Sequence, residues 1–128
     1  MSTIAADLQS LSRANSRTTT SSVGIANASK GRVYYTIRED YKISVSHPEA
    51  AAIVMRSFIV EVSPTEEEYI ATSGISNAYE LGATPGQAIR TYLEFLVDEL
   101  IWLQKREENL SPSIHEELHL LQDYLRIV

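Results

Sequence analysis

Cysteine is absent from this sequence, which rules out disulfide staples and thiolate metal sites and suits a reducing compartment. No apolar run approaches the length that spans a bilayer, and the N-terminus has no charged-then-apolar leader pattern. The expectation is a cytoplasmic protein that makes no contact with a membrane. Signatures of common catalysts are also missing. There is no nucleophile-elbow G-x-S-x-G, no Walker loop and no Rossmann glycine pattern, and the stretch around Gly86 is too short to cradle a phosphate in that way. A basic surplus is lacking too, since the net charge is −6.

What is present fits one ordinary domain plus a tail. The chain has 128 residues, 44% hydrophobic and 22% charged, enough for a core of useful size. Charge is unevenly spread. Residues 1–47 carry six basic side chains against three acidic ones, and the remainder carries five against fourteen. An acidic domain repels nucleic acid, so direct nucleic-acid binding is not expected and protein partners are favoured. Residues 1–30 hold 11 Ser or Thr and a single acid, Asp7. They read as a basic flexible arm, with an organelle-targeting peptide or a docking peptide bearing Ile4, Leu8 and Leu11 at helical spacing as the sharper alternatives.

Between residues 31 and 55 the pattern changes to strands. Val33, Tyr35 and Ile37 alternate, then Tyr41, Ile43 and Val45, which reads as a β-hairpin turning at Arg38-Glu39-Asp40. Pro48 and the alanines after it read as a short helix, with an extended lead-in as the rival. From residue 56 the chain reads as three strands: 56–63 with Phe58, Val60 and Val62 on one face, 69–73 after a solvated turn at Glu66, Glu67 and Glu68, and 78–82 closed by Gly82. Thr84-Pro85-Gly86-Gln87 carries the marks of a helix start. The helix is expected to run to about Arg106, with Ile89, Leu93, Leu96, Leu100 and Leu103 in one apolar stripe. A second helix starting at Ser111 or Ser113 carries Ile114, Leu118, Leu121, Leu125 and Val128 at the same spacing. Trp102 lies off the main stripe, placed to pack on the sheet edge or to anchor a partner. The fold class is α+β: a small antiparallel sheet, hairpin plus β-β-β, packed by a C-terminal antiparallel helical hairpin.

The string His115-Glu116-Glu117-Leu118-His119 matches the His-Glu-x-x-His pattern of zinc proteases, which needs two imidazoles on one helix face, a base beside them and a third ligand. The wheel sets His115 and His119 on the flank of the Leu stripe, with Glu116 toward solvent. Asp123 is the only acid after His119, and His47 at the end of the first hairpin is the remaining imidazole. The pattern therefore reads as a solvated helix flank, and no catalytic, cofactor-binding or metal-binding residue is assigned. A zinc hydrolase using His115, Glu116 and His119 stands as an alternative.

The stretch from Phe58 to about Leu103 resembles the HicB-like antitoxin domain. The resemblance is carried by the strand pair 57–73 with its acidic turn and by Gly82-Ala83-Thr84-Pro85-Gly86-Gln87-Ala88 leading into the helix, with Gln87 where the family usually has Glu. It implies a partial ribonuclease-H-like fold of three antiparallel strands crossed by a helix. It also implies a non-enzymatic module, dimeric or tetrameric, that neutralises a small basic RNA-cleaving toxin. Such proteins usually carry a DNA-binding segment; the acidic second helix here supplies no recognition face. A structural subunit or assembly factor docking through residues 1–30 is the alternative from a different class.

Overall fold

The computed structural model describes residues 31–46 and 49–128. The order of elements is β1 (Val33–Ile37), β2 (Lys42–Val45), β3 (Ala50–Val54), β4 (Phe58–Pro64), β5 (Tyr69–Ser73), β6 (Tyr79–Gly82), α1 (Pro85–Lys105), a 3-10 turn (Glu107–Asn109), α2 (Pro112–Tyr124) and β7 (Leu125–Ile127). The expected α+β class and C-terminal pair of helices are present, but the strands form two antiparallel sheets instead of one. The first has the order β1-β4-β5-β6 and the second β2-β3-β7. The arm expected over residues 1–30, together with His47 and Pro48, lies outside the described residues.

The hairpin expected over 31–46 does not form. β1 pairs with β4, from Val33 opposite Val62 to Ile37 opposite Phe58, whereas β2 pairs with β3. The turn itself is where expected, closed by the Tyr41 N–H donating to the Arg38 carbonyl at 3.1 Å, with Asp40 at φ 75°. It hands the chain from one sheet to the other: the Asp40 N–H donates to the Val54 carbonyl at 2.8 Å and the Val54 N–H to the Tyr41 carbonyl at 2.9 Å. Alternation fixes which side chains face inward, and Tyr35, Ile37, Ile43 and Val45 are indeed buried. It does not name the partner strand.

The helix expected after Pro48 is also replaced by a strand. β3 is the middle strand of its sheet, with Ala52 opposite both Ile43 and Ile127. The helix preference of alanine is worth at most about 0.7 kcal/mol per residue over ordinary residues. Ladder hydrogen bonds on both sides and burial of Ala52 and Val54 outweigh it. A third correction falls at the C-terminus. α2 stops at Tyr124, and Leu125 enters β7, whose pairing with β3 is extended by the Val128 N–H donating to the Ala51 carbonyl at 3.0 Å. Leu125 is buried as a strand residue, and Val128 is 61% exposed.

α1 has 21 residues, about 30 Å, and packs against both sheets. Its stripe Ile89, Leu93, Leu96, Leu100 and Leu103 is wholly buried, joined by Ala88, Tyr92 and Val97. Each such Leu contributes on the order of 1.5–3 kcal/mol. The N-cap is Thr84, whose Oγ1 accepts from the Gln87 N–H at 3.1 Å, while Gln87 Oε1 accepts from the Ala83 N–H at 2.8 Å. Gly82 is required by close approach: a Cβ there would sit 2.7 Å from Ala88 Cα and press on the Ala88 nitrogen. α2 is capped by Ser111, which accepts from the Ile114 N–H at 3.4 Å, and buries Leu118 and Leu121.

Candidate functional site

The two helices run antiparallel, so the pair has two distinct ends. Toward the connection, Gln104 and Lys105 face His115; further along, Phe95 and Glu99 face Glu117, Leu120 and Leu121. At this second end the loop after β5, residues 74–78, closes a notch of about 310 Å³ lined by Ile75, Phe95, Leu120 and Leu121 and bearing Glu99 and Glu117. Such a notch, mostly apolar with a few polar groups, is the usual form of a binding site.

The notch owes its shape to one buried tyrosine. Tyr92 is fully buried on α1, and its hydroxyl meets Ser73 Oγ at 2.6 Å and Ser76 Oγ at 2.9 Å. The two serines in turn accept from the N–H groups of Ile75 at 3.3 Å and Ala78 at 3.1 Å. The loop is thereby tied to the helix that forms the opposite wall. A Tyr at this point on the wheel reads as core, and no sequence signal marks it as the post holding a loop.

Electrostatics single out Glu99. Burial pushes its carboxyl above the ordinary range, and the neighbouring Glu117 adds to the shift. The charge repelled here is compensated by no ion pair among the described residues; the salt bridge they contain joins Arg32 to Glu61 at 3.2 Å on the first sheet. The arrangement favours a cation brought from outside, with an apolar stem beside it.

At the connection end, His115 and His119 meet edge to face, with ring centroids 5.5 Å apart. The third member is Glu107 of the 3-10 turn. One ligand atom from each of Glu107, His115 and His119 lies within 4.8 Å of the other two. Glu107 lies neither after His119 nor at His47, the places considered from the sequence for a third ligand; a spacing of eight residues before His115, across a turn, is the signal that marks it. Glu116, the base of the protease pattern, is exposed and stands outside the cluster. The cluster is open to solvent, Glu107 and His119 being exposed and His115 half-buried.

Glu66, Glu67 and Glu68 form an exposed turn in which Thr65 Oγ1 accepts from the Glu68 N–H at 2.9 Å. Trp102 is 49% exposed, with the Arg106 guanidinium 4.1 Å from its ring centre. Tyr35 is buried, whereas Tyr79 on the edge strand β6 is exposed with Leu81. No helix among the described residues is long and apolar enough to cross a membrane. Comparison with protein-family models, with curated proteins and with solved structures finds no match.

Proposed function

We propose that this chain is a non-enzymatic interaction module that seats a basic segment of a protein partner in the notch between α1, α2 and the 74–78 loop. The observation that carries this reading is the pair Glu99 and Glu117 in an apolar recess, with the Glu99 proton affinity raised by burial and by its neighbour. An arginine or lysine from a partner relieves that repulsion, and its methylene stem covers Phe95 and Leu120. The excess of acidic over basic side chains after residue 47 steers the same class of partner over longer range.

The antitoxin form of this reading draws on the resemblance to HicB-like domains. It is supported by the succession β4, β5, β6, α1, three antiparallel strands followed by a helix packed on them. RNA-cleaving toxins are basic because they hold RNA, and a basic segment is what the notch is suited to take.

The test is capture from the source cell with wild-type and Glu99→Gln/Glu117→Gln baits side by side. The expected outcome is a basic protein retained by the wild type and lost by the double variant, which is an RNase on its own and is silenced by one equivalent of this chain. Identical proteins on both baits contradict the notch. A basic partner without RNase activity leaves the module and removes the antitoxin form. A bait lacking residues 1–30 separates docking through the arm, which predicts loss, from docking through the notch, which predicts retention.

A further inference from the structure

We infer that Glu107, His115 and His119 form a zinc-binding clamp that ties the connection between the two helices to the outer face of α2. Two imidazoles and one carboxylate are the donor set of many three-ligand zinc sites. His115 and His119 stand one turn apart on α2, and the edge-to-face rings 5.5 Å apart bring their nitrogens to the same side of the helix. The carboxylate comes from a separate element, the 3-10 turn Glu107–Asn109, so the site is not a property of one helix surface.

A second observation concerns the His115 tautomer. Its Nε2 lies 2.8 Å from the Glu107 carbonyl oxygen, which can only accept, so Nε2 is the donor and, in the neutral ring, Nδ1 keeps the lone pair that a metal would take. An imidazole that donates one nitrogen to a backbone carbonyl and keeps the other free is the usual state of a metal-ligating histidine. Glu107 thus serves twice, its carbonyl orienting the ring and its carboxylate joining the donor set.

Distance sets the strength. Donors around a tetrahedral zinc with bonds near 2.0–2.1 Å lie about 3.4 Å apart. The three ligand atoms here lie within 4.8 Å of one another, so closure of at most about 1.4 Å is needed. The exposed side chains of Glu107 and His119 rotate that far without disturbing Leu118, which is buried on the other side of α2. With three protein ligands the fourth position is open to water. Glu116, the base of the protease pattern, is outside the cluster, so the donor set is not that of the His-Glu-x-x-His proteases, and the site is assigned as a clamp.

The clamp is independent of the notch at the other end of the helices. The experiment is calorimetric titration of the chelator-stripped full chain with zinc chloride, repeated on four variants. Wild type is expected to bind one equivalent with micromolar affinity and to melt higher with zinc than without. His119→Ala and Glu107→Gln are each expected to weaken binding at least tenfold, while Glu116→Gln and Asp123→Asn, at exposed positions outside the cluster, leave it unchanged. Circular dichroism of the metal-free variants, matching the wild type, separates loss of a ligand from loss of fold. Absence of stoichiometric binding to wild type, or affinity unmoved by Glu107→Gln, overturns the assignment, as does loss of binding in Glu116→Gln.

Discussion

The two ends of the helical hairpin are built from the same pair of helices and have opposite characters. Toward the 74–78 loop the helices carry the half-buried Phe95, the exposed Leu120 and the two carboxylates of Glu99 and Glu117, which repel each other. Toward the connection they carry the half-buried His115 and the exposed His119 beside a turn with acidic Glu107 and Glu108. Between the two, Leu118 and Leu121 against α1 are what both ends share. The difference teaches that packing determines where the ends are, while the residues just off the stripe determine what each end attracts.

Breaking the shared part has the largest effect. Leu118→Ala removes a fully buried side chain and is expected to cost about 2–5 kcal/mol. Urea unfolding reads this, and the notch and the imidazole cluster are expected to be lost together. A midpoint close to wild type contradicts the shared packing. Tyr92→Phe acts on one end alone. It deprives Ser73 and Ser76 of their common partner, with an expected cost of about 1–2 kcal/mol and faster hydrogen exchange over residues 74–78. Zinc binding at the other end is expected to stay as in wild type.

Glu99→Gln sharpens the comparison by sign. The native state holds the Glu99 proton more tightly than the unfolded chain does, because burial and Glu117 raise the folded value above 4.5. The favourable contribution is therefore complete below pH 4.5 and lost as pH rises through the raised folded value. Removing the charge is expected to stabilise the fold at neutral pH, by a few tenths of a kcal/mol given solvent screening, on the order of other half-exposed carboxylates. The gain is expected to vanish in acid; a loss of stability at neutral pH contradicts the repulsion. The smallest effect on folding is expected from His119→Ala, an exposed position, with a change within about 0.5 kcal/mol by thermal melting without metal.

Much of the fold was legible because periodicity reports burial directly. The five-residue stripe of α1 is buried throughout, β5 runs over the residues expected, and Thr84-Pro85 starts the helix. Partnership was not legible. Val33 to Val45 alternates as a hairpin does, yet its halves join different sheets, because alternation is satisfied by any antiparallel neighbour. Ala50 to Ala52 read as helix because propensity is local, and the pull of β2 and β7 on either side is not. The same limit governs the candidate sites. His115 and His119 were visible as a spacing, whereas Glu107 joins them only through the turn. Glu99 and Glu117 lie far apart in sequence on different helices, and nothing local predicts that they share a recess.

The acidic notch is tested most directly by calorimetry with the captured basic partner, comparing wild type with Glu99→Gln/Glu117→Gln at low and high salt. The expected result is binding weakened at least tenfold in the variant, about 1.4 kcal/mol, with a shallower salt dependence and a melting temperature no lower than wild type. Equal affinity and equal salt dependence in a fully folded variant would contradict it.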